Sequence, residues 1–152
     1  MRKDIYEAVG ALVHLLPDRQ SFAANNIHLS EQDRSAVFSE VYDDAARVRE
    51  QYVTELREQA ERAADRDEEF DPLLDELARC RAQILEMERR IGLLLAYGRE
   101  FVRPQPYQLK DLASAAGLSI SGVRIAYDAD EIREVEQLIG EKPRRPAGEK
   151  RR

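Results

Sequence analysis

The stretch YQLKDLASAAGLSISGVRIAY, Tyr107 to Tyr127, decides how the chain is read. Two short segments with helical apolar spacing, residues 109–116 and 120–127, flank Gly117-Leu118-Ser119. Helices that cross steeply over so short a turn need a small residue where they touch, a turn residue tolerant of left-handed backbone, and apolar residues facing inward. Ala113 sits midway along the first segment, where a larger side chain would push the second away. Gly117 suits positive φ, Leu118 is expected to pack inward, and Ser119 is placed to cap the second helix. Leu109, Leu112, Val123 and Ala126 supply the buried sides. The stretch predicts a helix-turn-helix.

On its N-terminal side the run RPQPY, Arg103 to Tyr107, marks a boundary, because Pro104 and Pro106 disfavour helix just before them. On its C-terminal side, Ile132, Val135, Leu138 and Ile139 predict a further helix over 131–139, behind an Asp130 cap and before Gly140. The remaining residues, 141–152, are read as a disordered basic tail.

Upstream, residues 2–16 carry Ile5, Val9, Leu12, Val13 and Leu16 at helical spacing, ended by Pro17-Asp18. Residues 18–29 read as a connector. Ser30 is placed to cap a long helix from Glu31 to about Arg66, with a stripe of Phe38, Val41, Ala45, Val48, Tyr52, Leu56, Ala60 and Ala63. Asp71-Pro72 opens the next helix. There Leu73, Leu77, Cys80, Ile84, Met87, Ile91, Leu94, Gly98 and Phe101 alternate steps of four and three, a heptad seam. Two long striped helices predict an antiparallel hairpin, packed within the chain, on a second subunit, or both. The fold class expected is all-α: a long-helix hairpin or coiled-coil-like bundle over 1–101, then a helix-turn-helix domain over 102–140.

Composition agrees with helix: charged residues are 36%, aromatics 7%, and there is no Trp. The net charge of −6 divides unevenly. Residues 1–101 hold 14 basic and 22 acidic groups, whereas residues 102–152 hold 10 and 8. Only the C-terminal part suits a polyphosphate. The single Cys80 offers no internal disulfide, and neither an apolar leader nor a membrane-spanning run is present in the sequence. A cytoplasmic protein is expected, with no membrane partner.

The segment Asp111-Leu112-Ala113-Ser114-Ala115-Ala116-Gly117-Leu118-Ser119-Ile120-Ser121-Gly122-Val123-Arg124-Ile125-Ala126 resembles the helix-turn-helix of bacterial transcription regulators. It is most similar to the lactose-repressor pattern D-V-A-x-x-A-G-V-S-x-x-T-V-S-R-V. Gly122 stands where that pattern has Thr, and Arg124-Ile125 where it has Ser-Arg. The motif lies C-terminally, and no effector domain of that family fits in 152 residues.

The resemblance implies that the second helix enters the major groove of double-stranded DNA. Ile120, Ser121 and Gly122 would face base edges, with Arg124 or Ile125 one turn on. Arg124 would suit guanine and Ile120 a thymine methyl. Ser119, Lys110, Tyr107, Arg103 and Arg133 are the expected phosphate contacts. The function so implied is a small bacterial transcriptional regulator, nucleoid-associated when bound to DNA and homodimeric through its N-terminal helices. A different reading is a protein-interaction adaptor whose helix-turn-helix docks RNA polymerase, a sigma factor or another protein.

Other signals point to no chemistry. Asp65, Asp67, Glu69, Asp71 and Glu76 fall at calcium-loop spacing, yet Phe70 occupies the position that needs glycine. His14 and His28 lack Cys or His neighbours for zinc. With no phosphate loop or nucleophile elbow, neither an enzyme, a metal site nor a cofactor is expected.

Overall fold

The computed structural model describes residues 4–145, which form seven helices and no strand. The chain divides into two compact units, Met1–Cys80 and Arg81–Arg152. The expected boundary lay near Phe101, after the long seam helix. The last turns of that helix instead share a core with the helices that follow them.

In the first unit, α1 (Ile5–Val13) starts at Asp4, whose carboxylate accepts the Tyr6 amide. The Arg57 guanidinium, 2.8 Å away, holds the Asp4 carboxyl below its ordinary value and also reaches Glu7. The predicted connector contains a helix, α2 (Arg19–Asn25), with Asp18 accepting the Ser21 amide at 2.8 Å. Seven residues give too short a periodic pattern to stand out from a loop. The Ser30 side chain caps α3 (Glu31–Asp65) as predicted.

Helices α1 and α2 cover part of the α3 stripe, burying Phe38 and Leu56, while Val41 and Val48 stay 40% and 51% accessible. Val9 of α1 and Val53 and Leu56 of α3 are buried, while Phe22 of α2 meets Phe38 of α3 edge to face, ring centroids 5.4 Å apart. His14, at the end of α1, sets its ring against Tyr52, and its carbonyl accepts Arg49 Nε at 2.8 Å. The Tyr52 hydroxyl donates to Glu76. Burial first, and then the carboxylate, push the Tyr52 phenol up to about 12.

Gly10 lets α1 approach α3: a Cβ there would lie 2.4 Å from Val53 Cγ2. Valine is stiff at χ1 and cannot swing clear. Alanine gains up to about 1 kcal/mol of helix propensity over glycine, but overpacking costs about 1–3 kcal/mol. Gly10→Ala should therefore lower the urea midpoint of the first unit; an unchanged midpoint would mean that α1 slides freely on α3.

Helix α4 (Pro72–Glu100) begins where Asp71 accepts the Leu73 and Leu74 amides, at 2.9 and 3.0 Å. Its heptad stripe is exposed from Leu73 to Leu94, with Leu77 57% and Ile84 49% accessible. The last two members leave the seam: Gly98 lies under Leu112 and Phe101 is 2% accessible. In the second unit α5 (Leu109–Ala116), α6 (Ile120–Ile125) and α7 (Ala129–Ile139) gather with the end of α4 around Leu95, Ala96, Phe101, Ala113, Val123, Tyr127, Ile132 and Val135.

Helix α7 starts two residues earlier than Asp130 predicted. Its cap is Asp128, which forms a capping box with Glu131. The expected disordered tail is corrected over 141–145: Lys142 pairs with Glu136, and the Arg144 amide donates to the Glu100 carbonyl at 2.6 Å. Residues 146–152 lie outside the described residues. No helix among the described residues is long and apolar enough to cross a membrane.

Candidate nucleic-acid interface

The α5–α6 pair is built by local rules that can be followed atom by atom. The entry to α5 is pinned to α4, with the Tyr107 amide donating to the Gly98 carbonyl at 3.0 Å and Arg99 donating to the Tyr107 carbonyl at 2.7 Å. Helix α5 ends on Gly117, whose φ of 66° is left-handed and costs a glycine little. The Leu118 amide returns to the Ala113 carbonyl at 2.9 Å, closing the turn. Ser119 Oγ then accepts the Gly122 amide at 2.9 Å and starts α6. Ala113 and Val123, 6% and 0% accessible, are both in the core.

Burying Val123 decides what α6 shows to solvent. At 100° per residue, Ile120, Arg124, Ser121 and Ile125 fall within an arc of about 140°, with Gly122 and Val123 on the far side. Burial follows this arithmetic: Ile120 is 45% and Ile125 85% accessible, Ser121 and Arg124 are exposed, and Gly122 is half-buried. A Cβ on Gly122 would meet Ser119 Oγ at 3.2 Å and Leu118 Cβ at 3.3 Å, so this residue faces the turn. Gly122, expected among the base-edge residues, thus stands apart from the exposed arc of α6. Leu118, expected to point inward, is 39% accessible.

The expected phosphate contacts separate in the same way. Lys110, Arg103 and Tyr107 are exposed on or just before α5. Arg133, one helix further on, is occupied by Asp130 and by the carbonyl of Ala129 in its own turn. Ser119 is used as a cap. Ser114 and Ala115, exposed on α5 and not singled out in the sequence, could have been found from the helical phase that buries Ala113.

Charge gives this region no positive excess. Residues 102–140 hold four basic and six acidic groups, a net of −2. Two of the acids, Asp128 and Glu131, are consumed in the α7 capping box, and the Asp130 amide keeps the Asp128 carboxyl below its ordinary value. Among the described residues no cluster of His, Cys, Asp and Glu is placed to hold a metal ion. Comparison with known families, characterised proteins and solved structures found no match to this chain.

Proposed function

We propose that the α5–α6 pair is a helix-turn-helix through which the protein binds double-stranded DNA as a transcriptional regulator. The observation that carries this reading is the arc on α6. With Val123 buried and Ser119 capping, the helix offers Ile120, Ser121, Arg124 and Ile125 together, a set suited to base edges in a major groove. Lys110 and Arg103 are exposed cations for neighbouring phosphates. One head makes few base contacts, so a homodimer addressing two half-sites would multiply the affinity.

The test is binding to a selected pool of DNA duplexes across a salt series. Affinity should fall with added salt, since neutralised phosphates release counterions. Arg124→Ala with Ser121→Ala should weaken the selected sequence by roughly 10- to 100-fold, the worth of a good base contact. Binding indifferent to both salt and the double variant would defeat the proposal.

A second reading is favoured by the net charge of −2 over 102–140 and by the 85% accessibility of Ile125. On that reading α6 docks a protein, such as RNA polymerase or a sigma factor. It predicts no DNA selection and loss of the partner on Ile125→Lys.

A further inference from the structure

Helix α4 carries the largest unpartnered apolar stripe of the described chain. Leu77, Ile84, Met87, Ile91 and Leu94 are 57%, 49%, 45%, 36% and 62% accessible, and Cys80 between them is exposed too. Every residue from Arg81 to Arg90 is exposed. Spaced four and three apart, these six residues are the a and d positions of a coiled coil, with Leu77, Ile84 and Ile91 at a. A narrow seam of this kind fits another helix of the same period, and α4 of a second copy has it.

We infer that two copies of this chain pair through α4 as an antiparallel coiled coil centred between Leu85 and Glu86. This deepens the homodimer reading and is independent of DNA binding. In that register Leu77 packs in a layer with Leu94 of the partner subunit, Cys80 with Ile91 of the partner subunit, and Ile84 with Met87 of the partner subunit. By the dyad each layer occurs twice, and all six seam residues are used.

Charge chooses the orientation. The e positions beside the seam are Arg81 and Glu88, and antiparallel pairing sets Arg81 against Glu88 of the partner subunit, again twice. Both side chains are exposed, and neither is engaged by another side chain among the described residues. Parallel pairing would set Arg81 against the partner's Glu76 instead. Glu76 is already committed to the Tyr52 hydroxyl and to Arg79, and its side chain is only 13% accessible. The alternative antiparallel register centred on Arg89 opposes Glu88 to itself and Arg90 to itself. The first register opposes no like charges: it joins Arg81 to Glu88 of the partner subunit and leaves Arg90 facing an uncharged Gln83.

The orientation has a consequence for the heads. Gly98, where α5 is seated, lies about 19 Å along α4 from the dyad, at 1.5 Å per residue. The two seats are then roughly 38 Å apart along the axis, close to the 34–36 Å of one DNA turn.

Sedimentation equilibrium of the full chain tests the pairing, with circular dichroism as the control for folding. The wild type should be a dimer and Ile84→Lys a folded monomer; a monomeric wild type, or a dimer indifferent to Ile84→Lys, overturns the inference. Arg81→Glu alone should weaken the dimer on the order of tenfold, through two new like-charge pairs. Arg81→Glu with Glu88→Arg should restore it, because the swapped charges meet again only in the antiparallel register; a double variant as weak as the single one overturns that register. Cys80 supplies an independent reading. Antiparallel pairing holds the two thiols 11 residues apart, roughly 16 Å along the axis, so mild oxidation should yield no cross-linked dimer. Rapid cross-linking through Cys80 overturns the orientation. A failed dimer with intact selective DNA binding would remove this inference and leave the DNA reading standing.

Discussion

Phe101→Ala is expected to cost the second unit about 3–5 kcal/mol, the range for emptying a buried aromatic site. Phe101 is 2% accessible and is one of the largest fully buried side chains among the described residues. It sits just past the last residue of α4, its ring stacked at 16° on Tyr97 with centroids 6.3 Å apart. The core it joins draws on α4, α5, α6 and α7, so no single element can collapse into the space left behind. Its neighbour Glu100 also accepts the buried Tyr127 hydroxyl at 2.8 Å, which couples the end of α4 to the α6–α7 link.

Because the chain has two units, one unfolding midpoint would mix their responses. Hydrogen exchange separates them. Amide protection at Val123 and Val135 should fall by roughly two to three powers of ten, at about 1.4 kcal/mol per power. Protection at Val53 and Leu56 in the first unit should hold. Retained protection at Val123 would mean that Phe101 is not the centre of this core.

The parts of this fold legible in sequence are those set by local chemistry. Gly117 has few alternatives to a left-handed turn, and Ser30, Ser119 and Asp71 accept amides where their positions before apolar runs predicted. Helical phase, applied to Val123 as a core residue, would also have set Gly122 apart from the exposed arc of α6, and the phase of Ala113 would have marked Ser114 and Ala115 as exposed. What periodicity cannot supply is the partner of a stripe. The stripes of α3 and α4 both look ready to pair, yet α1 and α2 cover α3 at Phe38 and Leu56 while α4 stays open from Leu73 to Leu94. The reason lies in pairwise fit: Gly10 meets Val53, and Phe22 meets Phe38, contacts between residues far apart in the chain. Likewise Gly98 and Phe101 keep the seam's spacing but belong to the second core, because α5 and α7 are there to cover them. Composition showed the acidic bias of the chain as a whole.

Gly92→Val is expected to be the other large effect, and it acts on the placement of α6. Gly92 is buried on α4, and a Cβ there would lie 2.9 Å from the carbonyl oxygen of Ala126, the residue that ends α6. That atom is backbone, so no rotamer relieves the overlap; α6 itself must move away from α4. Alanine at this site sets about 1 kcal/mol of helix propensity against the contact and should come out mildly destabilising. Valine adds two methyl groups in a branched, stiff arrangement and should cost about 3 kcal/mol, the upper part of the overpacking range. The displaced end of α6 carries Arg124 and Ile125, so the two effects should travel together. Hydrogen exchange at Val123 measures the first, and affinity for a selected duplex the second. On the proposed reading, Gly92→Ala should lose selectivity before it loses fold, since a shift of a few tenths of an ångström misplaces base contacts without opening the core. Wild-type protection in Gly92→Val would show that α6 is not held by its approach to α4. Wild-type selectivity in a Gly92→Ala protein with a measurably shifted α6 would remove α6 from the reading surface.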